Sequence, residues 1–195
     1  MRDELNRNIY LIKEHVGLFK AANNYDVYDP ETGQMIMHCR EDNLGILTKI
    51  LRFSDAKRMT PFDVRITDLN GRQILRVSRG VAFLISKVLV FDENDRLIGS
   101  FKQKLFSIGG AFDLLNRNDE PVCQLKGSLM GWEFKFSVGD VELAEVTKKW
   151  MGIGKEMFTS ADNYVLKIHE GAPANPQIRQ LILGCVMCID MVLKE

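Results

Sequence analysis

The stretch LILGCVMCID, Leu181 to Asp190, decides the fold, because its first nine residues carry no charge. Such a run forms either a membrane span or the inside of a protein. As an α-helix, nine residues rise about 14 Å, whereas the hydrocarbon of a bilayer is about 30 Å thick. Arg179 and Asp190 flank the run, and each would cost about 2.5 to 3.5 kcal/mol at a bilayer centre. We therefore expect a helix that is apolar on every face and enclosed by other parts of the protein.

The start of this helix is marked by Asn175 and Pro176. Asparagine is a favoured N-cap, and proline suits the first helical position, where the backbone N–H has no helical partner. We predict a helix from about Pro176 to Leu193, with Gly184 packed closely in its middle.

The length of the chain predicts one domain over residues 1–195. The 26 basic and 26 acidic side chains cancel, so no net field attracts the chain to nucleic acid. The charged start, MRDELNRNIYLIKEH, is not typical of a secretory signal, so we expect a cytoplasmic protein. We also expect a monomer. The four cysteines, Cys39, Cys123, Cys185 and Cys188, are then expected to be reduced, apolar side chains.

Polar turns recur between short apolar runs and predict a meander of β-hairpins. They occur in YDVYDPETGQMIMH, VRITDLNGRQILRV, VLVFDENDRLIGSF, FDLLNRNDEPVCQL and FKFSVGDVELAEV. Asn70-Gly71 is the strongest signal, because this pair is typical of a type I′ turn, which needs positive φ at both central residues. The segment NLGILTKILRF has apolar residues at helical spacing behind Asn43 and predicts a short surface helix.

Ten or more strands and one apolar helix must bury each other. A sheet that closes around the helix buries it and also removes the sheet edges. A helix is about 10 to 12 Å across with its side chains, so the barrel must be wider than one of about eight strands. We predict a β-barrel filled by its C-terminal helix, which leaves no lumen for a small ligand.

Three sequence blocks follow one another in order along the chain. They are PFDVRITDLNG (residues 61–71), VTKKWMGIGKEMFTSADNY (residues 146–164), and the terminal helix with Gly184 and Ile189-Asp190. Together they resemble the signature of the phospholipid scramblase family, over about Tyr25 to Glu195. The resemblance implies a tubby-like fold, also found in LURP-one-related proteins, in which a closed antiparallel barrel of about 12 strands encloses a hydrophobic C-terminal α-helix. It further implies a lipid-binding protein that is not an enzyme.

The resemblance also implies a calcium loop after the tryptophan motif, with Asp162, Asn163 and Glu170 as candidate ligands. Ser160 occupies the position where the family has its first aspartate. Calcium takes about 6 to 8 oxygen ligands, several of them anionic. The three candidates provide few of these, so we expect weak calcium binding at Asp162 or none.

Lys148, Lys149, Trp150 and Lys155 combine cations with an indole, which is typical of a protein surface that contacts anionic lipid headgroups. The alternative interpretation is a strand end with a half-buried tryptophan and solvated lysines. Phosphoinositide is a second headgroup that the same residues would attract.

Other polar residues favour structural roles. Cys185-x-x-Cys188 lies in the middle of the apolar helix, whereas a redox-active pair is typically found at an exposed helix N-terminus. His15 and His169 lack any accompanying nucleophile motif. Asp190 is expected at the barrel mouth, paired with an arginine or with backbone N–H groups, and the alternative is a proton-coupled or lipid-coupled role.

Three hypotheses remain. The first is a peripheral membrane protein that binds anionic phospholipid and scrambles it between leaflets. The second is a tubby-like module that binds a phosphoinositide or a protein partner and has no transport activity. The third, a small-ligand binder or an enzyme, is disfavoured by the filled lumen, and fold alone does not choose between the first two.

Overall fold

The computed structural model describes residues 3–15, 22, 24–41, 45, 48, 60–81, 86–104, 111–128, 132–148, 163–172 and 175–193. Within α1, defined below, nothing is described of the side chains at positions 188, 190, 191 and 193. The short helix expected behind Asn43 lies outside the described residues, apart from single positions.

The described chain forms twelve strands and one long helix, after a 3₁₀ turn at Asp3–Leu5. They are β1 (Ile9–Glu14), β2 (Tyr25–Tyr28), β3 (Met35–Arg40), β4 (Phe62–Thr67), β5 (Gln73–Arg79), β6 (Lys87–Phe91), β7 (Leu97–Gln103), β8 (Ala111–Asn116), β9 (Pro121–Ser128), β10 (Glu133–Val138), β11 (Val141–Thr147), β12 (Asn163–Ile168) and α1 (Pro176–Leu193). Each strand pairs antiparallel with its neighbours in the chain, and β1 closes the barrel against β12. The predicted closed barrel is confirmed.

The side chains of β4 alternate between the two faces of the barrel wall. In β4, Phe62, Val64 and Ile66 are buried, while the residues between them are more exposed. This period of two is what a wall with an apolar inside and a solvated outside requires.

Helix α1 occupies the lumen. Asn175 Oδ1 accepts a hydrogen bond of 2.9 Å from the backbone N–H of Gln177, so the predicted N-cap is present. A Cβ at Gly184 would lie 3.2 Å from Val77 Cγ1 and 3.3 Å from Val90 Cγ1, so the wall touches the helix backbone there. Farther along, a gap between helix and wall has a volume of only about 10 Å³, room for one water at most. The described lumen is therefore filled.

The two ends of the barrel differ in their connections. At one end, which we call the turn end, the chain joins β2–β3, β4–β5, β6–β7, β8–β9 and β10–β11, and β12 leads into α1. At the other end, which we call the loop end, the chain joins β1–β2, β3–β4, β5–β6, β7–β8, β9–β10 and β11–β12. Arg179 in the first turn of α1 donates hydrogen bonds to Arg7 and Asn8 at the turn end, and Val192 borders Phe112 at the loop end. The helix thus runs from the turn end to the loop end.

The expected type I′ turn at Asn70-Gly71 is wrong. Gly71 has a φ of 79°, but Asn70 is not among the residues with positive φ. Asp68 Oδ1 accepts hydrogen bonds from the backbone N–H groups of Asn70 (2.9 Å) and Arg72 (2.8 Å). These bonds hold a type I turn followed by one left-handed residue, the three-residue hairpin loop. The turns Asp92–Arg96 and Asn116–Glu120 repeat the same bonds.

Candidate functional site

Lys148 follows the last residue of β11 and lies at the loop end. Its Nζ is 4.0 Å from the centroid of the Trp132 ring, a cation–π contact, and both side chains are half-buried. Lys148 is therefore held against an indole, although this is not the indole that the sequence motif provides.

Trp132 belongs to an aromatic cluster, which we define as Tyr25, Trp132, Phe134 and Tyr164. The Trp132 ring stacks on Tyr164 with centroids 6.0 Å apart and meets Phe134 edge-on at 5.9 Å. Tyr164 in turn meets Tyr25 edge-on at 6.4 Å. Because Tyr25, Phe134 and Tyr164 are buried in the barrel wall, the cluster gives Lys148 a rigid support at the loop end.

Of the four residues proposed to contact lipid, the structure places only Lys148. Lys149, Trp150 and Lys155 lie outside the described residues. Trp132 was not among the candidates, because it precedes Lys148 by many residues and belongs to no recognised motif. The dipeptide Gly131-Trp132 just before an apolar strand was the available signal.

The calcium candidates are not brought together. Asn163 is the first residue of β12 and is buried, whereas Glu170 lies beyond the other end of the strand and is exposed. Extended chain of six residues separates them by about 16 Å, so Glu170 cannot join an ion held at Asn163. Asp162 lies outside the described residues. Across the parts of the chain that are described, no three His, Cys, Asp or Glu side chains are placed to hold a metal.

A second polar group lies near the loop end on the outside of the barrel. We call it the Asp26 cluster: Asp26, His15, His38 and Arg40. Asp26 Oδ2 is 2.6 Å from His15 Nε2, and its Oδ1 accepts a 2.5 Å hydrogen bond from Arg40 Nη2 and lies 3.2 Å from His38 Nδ1. Burial alone would raise the pKa of Asp26, but the hydrogen bonds from Arg40, His15 and His38 outweigh it and lower the pKa to about 2.

The remaining candidates are structural where they are described. Cys39 and Cys185 are buried, and burial raises the pKa of Cys39 and raises that of Cys123 to about 11, so these are not reactive thiols. His169 Nε2 is 3.0 Å from Glu142 Oε1. The helix at Asp190 is described, but its side chain is not, so the proposed pairing of that carboxylate stays a prediction.

No helix among the described residues is long and apolar enough to cross a membrane. This agrees with the helix-length argument for residues 181–189.

The sequence comparisons are consistent with one another. A family model described as Scramblase matches residues 6–195. A phospholipid scramblase family protein of Schizosaccharomyces pombe is 22% identical over 171 residues, covering 83% of this chain and 45% of the relative. Human phospholipid scramblase 2 is 22% identical, with 91% and 62% covered, and human phospholipid scramblase family member 5 is 22% identical, with 68% and 54% covered. The chain thus spans about half the length of the curated relatives it matches.

The fold also has a solved counterpart. The crystal structure of an Arabidopsis thaliana protein superposes with a TM-score of 0.52 and 15% sequence identity, covering 94% of this chain and 91% of the other. At this identity the likeness concerns the fold alone.

Proposed function

Because the chain belongs to the Scramblase family, we propose that it is a peripheral, lipid-associated protein that binds an anionic phospholipid surface. The proposed contact consists of Lys148, Lys149, Trp150 and Lys155, at the cytoplasmic side of a membrane. The observation that carries the proposal is Lys148, a cation supported on the aromatic cluster at the loop end. Lysines beside aromatic rings are typical of surfaces that contact anionic headgroups.

The filled lumen limits how such a protein could move lipid. Because α1 packs against the barrel wall at Gly184, lipid has no path through the described interior. Phospholipid scrambling, if the chain catalyses it, would therefore take place outside the barrel.

The second candidate function is a tubby-like module that binds a phosphoinositide or a protein partner without transport. The distance between Asn163 and Glu170 favours it, because a calcium-triggered scramblase needs several carboxylates around one ion. It differs from the first candidate in a lipid-flip assay, where the module would leave leaflet asymmetry unchanged with or without calcium.

The test of lipid binding is co-sedimentation with vesicles of phosphatidylcholine and phosphatidylserine, without calcium. Each lysine near an anionic surface contributes about 1 kcal/mol, so the variant Lys148→Ala/Lys149→Ala/Lys155→Ala should lose up to about 3 kcal/mol, a factor of about a hundred in affinity. The matched control is Arg72→Ala/Arg96→Ala/Arg117→Ala, which removes three exposed charges of the same sign at the turn end.

The control should bind anionic vesicles like the parent. If the lysine variant does so as well, these lysines form only a solvated strand end. Docking to a protein partner then becomes the better hypothesis.

A further inference from the structure

The turn end of the barrel is strongly acidic, although the chain as a whole is neutral. Its six connections, all in the described part of the chain except for residues 173 and 174, contain ten carboxylates and three guanidinium groups. The carboxylates are Asp29, Glu31, Asp68, Asp92, Glu93, Asp95, Asp119, Glu120, Asp140 and Glu170, and the guanidinium groups are Arg72, Arg96 and Arg117. Because total charge is zero, the rest of the molecule carries the balancing positive charge.

Much of this acidic charge is open to solvent. Within the described residues, ion pairs hold Asp29 with Arg7, Asp68 with Arg72, Asp95 with Arg76, and Asp119 with Lys87. Glu31, Glu93 and Asp140 are exposed, and they lie in alternate turns around the rim. The negative field therefore extends around the whole turn end.

The two ends also differ in aromatic residues. Each of the six connections at the loop end contains at least one, by sequence: Phe19, Phe53, Phe83, Phe106, Trp132, and Trp150 with Phe158. None of the six turn-end connections contains a phenylalanine, tryptophan or tyrosine. Among the described residues, the loop end presents Lys148 on the aromatic cluster. Val81, which is 61% exposed there, is a single aliphatic residue of a kind that the turn end also has. Aromatic and basic side chains together are what a lipid headgroup layer accommodates.

We infer that the barrel docks end-on, with its loop end toward an anionic lipid surface and its acidic turn end directed away. This inference rests on the proposed function and adds the orientation. Helix α1 then points toward the membrane surface rather than lying along it, with its Leu193 end nearest the lipid.

Electrostatic screening gives the two orientations different binding free energies. Helix α1 has 18 residues and a length of about 27 Å, and it runs between the two ends. At physiological salt the Debye length is about 8 Å, so carboxylates at the far end of the barrel are screened from the lipid. In the reverse orientation, the same carboxylates would contact the anionic headgroups and repel them.

Exposed aliphatic side chains at the turn end are the argument for the reverse orientation. They are Leu69, Leu97, Val138 and Val141. Asp68 precedes Leu69, Asp95 lies two residues before Leu97, and Asp140 lies between Val138 and Val141. None of the four can therefore enter lipid without bringing a carboxylate close to it. Single exposed aliphatic residues are common on soluble surfaces and indicate no site by themselves.

The direct test places one fluorophore at either end. Val81→Cys reports on the loop end and Asn94→Cys on the turn end, each labelled with an environment-sensitive dye under native conditions. Cys39, Cys123 and Cys185 are buried, and the parent protein carried through the same labelling gives the background. On phosphatidylcholine–phosphatidylserine vesicles, lipid-borne quenchers should quench the Val81→Cys label and leave the Asn94→Cys label unaffected.

A label-free test uses charge. The variant Glu31→Gln/Glu93→Gln/Asp140→Asn removes three exposed carboxylates spaced around the turn end. If that end points away, vesicle affinity should change by less than about twofold, since the charges are screened. If it faced the lipid, affinity should rise about fivefold for each charge removed.

The outcomes separate the two proposals. A parent protein that binds vesicles but shows quenching at Asn94→Cys, or tighter binding after carboxylate removal, overturns the orientation and leaves lipid binding intact. A parent that does not bind anionic vesicles at all overturns both.

Discussion

At the scale of single residues, the structure assigns roles by partners that lie far apart in the chain. Lys148 is supported by Trp132. Asp26 is bonded by His15, which follows β1, and by His38 and Arg40 on β3. The Asp26 side chain is only 14% exposed, so its charge depends on these partners. The carboxylate is therefore a structural anchor near the loop end.

Asp26→Asn should lower the free energy of unfolding at neutral pH by about 2 kcal/mol, the value that corresponds to its lowered pKa. A carboxylate with a folded-state pKa of about 2 stabilises fully above its unfolded value of about 4, and this stabilisation is lost as pH falls from about 4 toward 2. Urea unfolding of parent and variant across this pH range measures the effect. The difference between them should narrow below pH 4.

The control is Asp140→Asn, which removes an exposed carboxylate and should change the free energy of unfolding at neutral pH by less than about 0.5 kcal/mol. A gap between Asp26→Asn and the parent that stays constant down to about pH 2 would contradict the linkage.

At the scale of elements, α1 and the strands around it depend on each other for the burial of their apolar side chains. The helix has no polar face among its described buried residues from Leu181 to Met187, so it depends on the wall, and the wall depends on it to fill the lumen. Glycines allow close approach on both sides. A Cβ at Gly99 in β7 would lie 2.8 Å from Leu181 Cδ2 and 2.2 Å from the carbonyl oxygen of Leu115.

Gly184→Leu should destabilise the protein by about 1 to 3 kcal/mol or more, because the added side chain would meet Val77, Val90 and Phe101. Gly80→Leu is the matched control, since nothing lies within 4 Å of a Cβ at that exposed position. Thermal unfolding compares the two. Equal melting temperatures would mean that α1 is not enclosed by the barrel.

At the scale of the whole molecule, a neutral chain folds into a barrel with two unlike ends. Short acidic turns form one end, and the connections at the other contain aromatic residues by sequence. The net charge does not predict this difference between the ends, because the difference depends on which connections share an end. Antiparallel order decides that, since every second connection returns to the same end.

Binding to anionic vesicles should weaken as salt increases. Raising ionic strength from about 0.1 M to about 1 M shortens the Debye length from about 10 Å to about 3 Å, so the contribution of the lysines is screened. Co-sedimentation over this range, with vesicles of phosphatidylcholine alone as the control, measures it. Equal binding at high salt, or equal binding to the neutral vesicles, would mean that apolar contact alone holds the protein on lipid.

The sequence by itself determined the helix, the barrel and the family. The uncharged run from Leu181, the Asn175 cap and the recurring turns are local signals, and short-range physics is sufficient to interpret them. They predicted α1 from Pro176 to Leu193 and a closed antiparallel barrel, and both are confirmed.

Only the tertiary structure decided which side chains meet. It brought Trp132 to Lys148, and it brought His15, His38 and Arg40 to Asp26. These outcomes depend on strand register and on closure of the sheet. A register is set by packing across the whole barrel, and no window of sequence contains that information.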